Sequence, residues 1–260
     1  DLGGGLKAVF KLESFVNPDT GSVGEGNFWG KNAYVGLAGD FGTVKLGNQE
    51  SLFKTAQIAY NAFGSSAQLS TVTNLGGLLG TDLFGSWNNT IGYESNNFGG
   101  LTFAAQHSAR ENSTGAYNGG ATAASVNYSA GALGLSAVYG DVRSTTNTAV
   151  TDRQRAWLLG ASYDFGVVKG FAQYGQVKSD AADETAKTWQ LGAIVPVTEA
   201  GSVHAAFGQT KVDGDKATQF SLAYHHALSK RTSAYAGGAY VKADDAFKAT
   251  VLLAGVRHAF

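Results

Sequence analysis

The sequence predicts an all-β protein, a transmembrane antiparallel β-barrel of about 14 strands with one loop folded inward. Composition is the first reason, because 36 Gly, 15 Phe and 11 Tyr against 2 Pro in 260 residues favour strands joined by tight turns. Apolar and polar residues also alternate in runs of about ten, the length of a tilted spanning strand. The connections between these runs alternate between short and long. Together these observations predict a single barrel domain over residues 1–260.

Each strand is identified by a period of two that places apolar side chains on one face. In the first strand, Leu6, Ala8 and Phe10 share one face, and Lys7 and Lys11 share the other. The same alternation on both sides of a short turn predicts hairpins further along the chain. They cover residues 31–49, 88–108, 123–140, 156–176, 188–210 and 218–241, and a last strand covers residues 250–260.

The turns indicate how the barrel is oriented. Short turns are predicted at residues 39–42, 96–100, 130–134, 164–166, 199–201 and 229–230, and long ones at 17–30, 50–87, 108–120, 141–155, 178–187 and 213–216. Short turns at one end and long loops at the other are typical of outer-membrane barrels. Aromatic residues near strand ends are expected to form the two interfacial girdles, although aromatics are also good strand residues in general. These aromatics are Tyr93, Tyr139, Tyr163, Phe165, Tyr174, Trp189, Tyr224, Tyr235 and Phe260.

Residues 50–87 form the one long segment without a period of two. A long irregular loop in a compact β protein usually has a function. Its many apolar side chains require burial or a partner surface. We therefore expect this loop to fold into the barrel and narrow a pore; the alternative is a surface excursion. The apolar residues concerned are Leu52, Phe53, Ile58, Tyr60, Phe63, Leu78, Leu79 and Phe84.

Composition also excludes several kinds of chemistry. A formal net charge of −1 gives no electrostatic case for nucleic acid, and the absence of Cys excludes disulfides, thiol catalysis and cysteine metal sites. No apolar run approaches the roughly 18 residues of a spanning helix. The five histidines form no recognisable catalytic or metal-binding spacing, so neither a metal nor a cofactor is expected. They are His107, His204, His225, His226 and His258.

Charged residues on the predicted lumen face are the candidate selectivity site. The wall supplies Lys7, Lys11, Lys45, Lys169 and Arg257, and the loop supplies Glu50, Lys54 and Asp82. Opposed charges across a narrow water-filled passage create a transverse field that filters solutes by charge. The alternative is that each residue is simply solvated, since every strand of a water-filled barrel needs polar residues inside.

Five stretches of the chain carry a family resemblance. They are "DLGGGLKAVFKLES" at 1–14, "AYVGLAGDFGTVKLGNQ" at 33–49, "NNTIGYES" at 88–95, "WLLGASYDFG" at 157–166 and "GVRHAF" at 255–260. The combination resembles the Gram-negative general porins of the β-proteobacterial, neisserial-like type. This resemblance implies a homotrimer of 16-stranded barrels in the outer membrane, with the third extracellular loop, here residues 50–87, as the constriction. It also implies contact with membrane lipid and lipopolysaccharide, and passive diffusion of ions and small hydrophilic solutes.

The chain departs from the family pattern in two respects. It begins where family members already have two strands behind them, and it has no Met, so we expect an N-terminally truncated chain or a closure with 14 strands. We therefore expect the strand that contains residues 6–14 and the last strand either to remain unpaired with each other or to be forced together. The basic cluster is also thinner. Asn48 and Gly92 stand where the family has arginine, and Lys31 corresponds to another of its arginines, which puts strong anion selectivity in doubt.

Two other classes of function stay open at this point. Some outer-membrane barrels are hydrolases with an active site at the rim, and others are adhesins that act through their loops. The adhesin hypothesis requires the loop at residues 50–87 to lie outside the barrel. The hydrolase hypothesis requires a Ser/His/Asp group within contact distance, which spacing alone does not provide.

Overall fold

The computed structural model describes residues 1–17, 19–23, 27–66, 68–71, 82–111, 119–146, 149–244 and 246–259. The predicted loop residues Leu78 and Leu79 and the terminal Phe260 lie outside this part. Sixteen strands and one α-helix are described, together with a short 3-10 helix at Asp82–Phe84. The strands are β1 Lys7–Glu13, β2 Val16–Asn17, β3 Ser22–Val23, β4 Asn32–Gly39, β5 Gly42–Glu50, β6 Ser86–Glu94, β7 Leu101–Ser108, β8 Ala121–Ala130, β9 Leu133–Thr146, β10 Ala149–Asp164, β11 Lys169–Ser179, β12 Glu184–Pro196, β13 Gly201–Val212, β14 Asp215–Ala227, β15 Thr232–Ala243 and β16 Phe247–His258, and the helix is α1 Leu52–Ala59.

Fourteen of these strands form one antiparallel sheet in sequence order, from β1 through β4 to β16, which confirms the predicted fold class and strand count. The two short strands β2 and β3 pair only with each other. Within the described residues, β1 and β16 are the edges of the large sheet, and each has one neighbour. Bare strand edges are unfavourable in lipid, so both edges need a covering partner in the membrane.

Register divides every strand into two faces. On β10 and β11, Gln173 pairs with Gly160 and Leu159 pairs with Tyr174, and the two pairs lie on opposite faces. One face is polar or small and is covered by the chain itself; its buried residues include Gln106, Gln154, Gln173, Gln190 and Gln219. The other face exposes apolar side chains such as Phe10, Leu46, Leu159, Leu191 and Leu252. An apolar outside around a polar inside is the arrangement of a membrane barrel with a wet lumen.

Two predictions about the strands were wrong. The hairpin β9–β10 extends through most of the predicted loop at 141–155, and β11–β12 and β13–β14 likewise extend into the predicted loops at 178–187 and 213–216. Charged residues do not end these strands, because a strand beyond the lipid needs no apolar face. Tyr235 lies opposite His225 and Gly255, on the inner face and not in the outer girdle. Among the described helices, none is both long and apolar enough to cross a membrane.

Candidate functional site

The connection between β5 and β6, residues 51–85 and here called the lumen loop, is closed at its base by Ser51. This side chain is fully buried and caps α1 by accepting the backbone N–H of Lys54 at 3.1 Å. It also donates to the carbonyl of Leu83 at 2.5 Å, while its backbone N–H donates to the carbonyl of Gly85 at 3.0 Å. The outgoing and returning ends of the loop are therefore joined at one residue.

The helix α1 packs against the inner wall of the barrel. Phe53, Leu83 and Trp87 are fully buried and share a cluster with Val138 and Leu158 of the wall. Further along, Phe63 and Leu69 pack on Phe171, Ala206, Ala223 and Ala239. The prediction that the apolar residues of this loop are buried inside the barrel is confirmed for Leu52, Phe53, Tyr60 and Phe63, whereas Ile58 and Phe84 are half-buried.

Gln106 of β7 holds the beginning of α1. Its side-chain oxygen accepts the backbone N–H of Leu52 at 3.1 Å, and its side-chain nitrogen donates to the carbonyl of Glu50 at 3.0 Å. A helix leaves its first N–H groups without intrahelical partners, so a buried helix start needs such an acceptor. The side chain of Gln106 thus accepts a hydrogen bond from a backbone N–H that would otherwise need a water molecule as its partner.

Gln173 of β11 holds the other end of the helix. Its side-chain nitrogen donates to the carbonyls of Gln57 at 2.9 Å and Tyr60 at 2.7 Å. The ring of Tyr60 lies over Gly160, where an added Cβ atom would be 2.6 Å from the ring. Burial in this position raises the pKa of the Tyr60 hydroxyl.

The later part of the loop continues around the wall. The Nδ1–H of His204 donates to the carbonyl of Ala62 at 2.7 Å, so Nε2 of the neutral ring accepts from Ser202, at 3.0 Å. Gln190 accepts from the hydroxyl of Thr71, and Gln219 donates to the carbonyl of Gln68 at 3.1 Å. The lumen loop is therefore attached to the wall from β7 to β14.

Between α1 and the wall formed by β1 and β4–β8, a polar cavity of about 540 Å³ remains open. Lys11, Lys45, Glu50 and Glu94 line it. Lys45 lies 2.5 Å from Glu94, and its Nζ atom lies 5.2 Å from the centre of the Tyr34 ring. Positive and negative side chains therefore share the walls of one passage.

A second charge network adjoins this cavity at Asn32. The amide nitrogen of Asn32 donates to Glu13 at 2.6 Å and to Glu50 at 3.3 Å, and its oxygen accepts the backbone N–H of Glu50 at 3.1 Å. Lys11 and Lys31 lie 3.0 and 3.5 Å from the same Glu13 carboxylate. Asn32 thus fixes two carboxylates side by side at the rim of the cavity.

The structure brings together only part of the predicted set. Lys11, Lys45 and Glu50 line one cavity, and Lys31 reaches it through Glu13. Lys54 is half-buried on α1 and makes no ion pair within the described residues. Asp82 begins the 3-10 helix, and its side chain lies outside the described part.

Three predicted wall residues stay away from this cavity. Lys7, Lys169 and Arg257 share the inner face but lie near the short-turn end, and none of them lines the cavity as the described residues define it. Glu13 and Glu94 were missed as site residues. Their signal was parity, because Glu13 shares a face with Lys11, and Glu94 is two residues from Gly92, the partner of Lys45.

An outer-membrane channel is the class of protein that these features define: an antiparallel barrel, apolar outside and polar inside, with a loop packed in its lumen beside an open charged passage. Comparison with known proteins gives the family. The model of the Gram-negative porin family matches residues 1–246, and the chain belongs to this family. The protein is thus a porin of the outer membrane.

Individual relatives support this family assignment. Outer membrane porin protein 32 of Delftia acidovorans is 35% identical over 95% of this chain and 73% of its own length. An outer membrane porin protein of Bordetella pertussis is 29% identical over all of this chain and 80% of its own. Among solved structures, an anion-selective porin from Comamonas acidovorans superposes with a TM-score of 0.88 at 29% identity, over all of this chain and 86% of that one. OmpF of Salmonella typhi, at 14% identity over 99% of this chain and 86% of that one and a TM-score of 0.77, shares the fold.

The contact of Tyr60 with Gly160 predicts a steric test of the loop's position. A Gly160→Val variant should place methyl groups inside the Tyr60 ring and destabilise the folded barrel by about 1–3 kcal/mol. Urea titration, followed by the gel shift between folded and heat-denatured barrel, measures this loss. Gly170→Val is the matched control, because an added Cβ there meets nothing closer than 3.7 Å. Equal stability of the two variants would contradict the contact.

The double hydrogen bond of Gln173 predicts a test of loop attachment. In a Gln173→Leu variant, the buried carbonyl of Gln57 loses this donor, at a cost of about 1–3 kcal/mol, and the carbonyl of Tyr60 keeps only the longer bond from Gln190 at 3.5 Å. The loop should then be cut by protease in the folded barrel at least several times faster than in wild type. Gln176→Leu, on the outer face of the same strand, should leave the cleavage rate unchanged. A loop equally resistant in both variants would show that Gln173 does not hold it.

Proposed function

We propose that this porin is a passive diffusion channel for ions and small hydrophilic solutes, with no catalytic activity and no cofactor. The observation that carries this proposal is the lumen loop: it is attached along one side of the wall and leaves an open polar cavity of about 540 Å³ on the other. The volume and the charged walls of this cavity determine which solutes pass. We take the loop at residues 50–87 as the constriction of a single barrel domain.

The charges around the cavity support weak selectivity. Lys11 and Lys31 share the carboxylate of Glu13, and Lys45 faces Glu94, so each lysine has an acidic neighbour within 3.5 Å. A solute in the passage meets a transverse field from opposed charges more than a net positive potential. We therefore propose a mild charge preference, weaker than the selectivity for which the Comamonas acidovorans relative is named. Lys7, Lys169 and Arg257 form a second, more distant set of cations near the short-turn end.

The outer face of the barrel supports a proposal about the oligomeric state of the porin and its lipid surroundings. Its exposed apolar side chains suit lipid and subunit contacts equally, and one structural neighbour, OmpT of Vibrio cholerae, is described in a trimer form. We propose a homotrimer in contact with outer-membrane lipid and lipopolysaccharide. The adhesin alternative depended on a loop outside the barrel, and the described part of this loop lies inside.

Charge reversal on the wall tests the selectivity proposal. A Lys11→Glu/Lys45→Glu variant should shift the reversal potential in a salt gradient toward cation preference, because two lysines are replaced by two carboxylates in a passage that already contains Glu50 and Glu94. The measurement is single-channel recording in a planar bilayer, where wild type should show stable, ohmic, step-like openings. Lys248→Glu, on the outer face, carries a charge reversal that should leave the potential unchanged.

Two outcomes would count against the proposal. An unchanged reversal potential in the double variant would remove these lysines from the filter. Correctly folded wild-type protein that gives no openings would mean that the lumen is closed, and passive diffusion would be wrong.

A further inference from the structure

Basic side chains collect on the outer face of the barrel, at the end opposite the short turns. Alternation along β9–β16 places them on the same face as Leu159 and Leu191 and opposite to the lumen-facing Gln173 and Gln190. Some acidic residues of the same strand ends, Asp152 and Glu184 among them, face inward. The outward basic residues are Arg143, Arg153, Arg155, Lys178, Lys187, Lys211, Lys216, Lys242 and Lys248.

Three of these lysines lie directly beside one another. Lys187 of β12 pairs with Lys211 of β13, and Lys211 pairs with Lys216 of β14. Like charges directly opposite each other destabilise a sheet. All three side chains are exposed, and none makes an ion pair within the described residues. We name Lys187, Lys211 and Lys216 the lysine row.

Among the described residues, five of the six other basic residues on this face have acidic partners, and Lys248 is the exception. Arg143 and Arg153 share the carboxylate of Asp141, and Arg155 lies 2.5 Å from Asp180. Lys178 and Lys242 lie 3.5 and 3.8 Å from Asp183 and Asp244, respectively. The lysine row differs from this pattern because its positive charges have no acidic partner within the described residues. An external anion would neutralise these charges.

The height of the lysine row on the barrel indicates where that anion lies. Trp189 is two residues from Lys187, Phe207 is four residues from Lys211, and Phe220 is four residues from Lys216, all on the same outer face. At about 3.3 Å per residue, the lysines lie roughly 7–13 Å beyond these aromatic rings along the strands. Aromatic girdles mark the membrane interface, so the lysine row lies at the level of the lipid headgroups.

An apolar groove lies on the outer face beside the lysine row. Its volume is about 670 Å³, and Trp189 and Tyr174 stand on the side nearer the lysines. Ala161 and Ala172 form its floor and Leu159 and Leu191 its walls, because these small side chains, three residues from the short-turn ends of β10 and β11, lie between larger ones. This shape suits a hydrocarbon chain that runs along the barrel.

We propose that the lysine row binds the phosphorylated headgroup of an outer-leaflet lipid whose acyl chain lies in the apolar groove. The proposal deepens the lipid contact put forward above and gives it a place and a chemistry. Phosphate oxygens accept hydrogen bonds from the three ammonium groups and relieve their mutual repulsion, and the groove distinguishes a lipid from a free anion.

The experiment uses the folded, full-length protein in phosphatidylcholine nanodiscs, with bisphosphorylated lipid A as the probe. Wild type should bind this lipid at least tenfold more tightly than the Lys187→Gln/Lys211→Gln/Lys216→Gln variant, as counted by native mass spectrometry. Lys230→Gln/Arg231→Gln, in the short turn between β14 and β15, is the matched control and should bind like wild type. Ala161→Trp, which fills the floor of the groove, should weaken binding without any change of charge.

The remaining measurements distinguish specific lipid binding from the binding of any anion. Equal binding by wild type and the triple variant would overturn the proposal, as would equal binding of dephosphorylated lipid A. Displacement of the lipid by 10 mM inorganic phosphate, a concentration about ten thousand times a micromolar Kd, would identify a general anion site in place of a lipid site. The triple variant should keep wild-type conductance, so that a loss of lipid binding and a failure of the channel function are observed independently.

Discussion

The structure depends on one constraint: a chain segment placed inside a barrel must have its backbone polar groups hydrogen-bonded. Amide side chains of the wall meet this requirement. Gln106 and Gln173 hold the two ends of α1, and His204 holds the carbonyl of Ala62 further along. Because these contacts run along the wall from β7 to β14, the described part of the loop follows the wall. The open passage beside β1 and β4–β8 is the space left over.

Glycine and alanine in the wall complete this arrangement. Gly160 leaves room for the Tyr60 ring, and Gly192 leaves room for Ala62, whose Cβ would lie 3.1 Å from a Cβ added at Gly192. The outer face shows the reverse pattern, since its large apolar side chains are exposed to lipid. Function follows from this division, because the lipid face anchors the barrel and the lumen face shapes the passage.

Much of the fold could be predicted from the sequence. A period of two is a local signal, so it predicts both the strands and the face on which each side chain lies. The lumen loop is predicted as a loop because its apolar residues lack that period. Partners across the lumen could not be predicted, because the contact of Gln173 with Gln57 joins residues 116 positions apart. Glu13 and Glu94 were missed for the same reason, since each matters through a lysine on its own or a neighbouring strand. The charged residues near Asp141 predict a loop if polarity is assumed to end a strand, but the hydrogen bonds between β9 and β10 continue beyond the lipid.

The position of the lumen loop is the central claim, and a cysteine pair tests it most directly. The chain has no native Cys, so Ala62→Cys/Gly192→Cys introduces two thiols alone, at positions whose Cβ atoms come within disulfide range after a small adjustment. The account predicts that the intramolecular disulfide forms in the folded barrel and leaves the single-channel conductance at its wild-type value, because the loop already lies there. The control pair, Ala62→Cys/Leu191→Cys, directs one thiol to the lipid face and should not form the bond. Absence of the disulfide in the first pair, or a conductance that changes when it forms, would contradict the account.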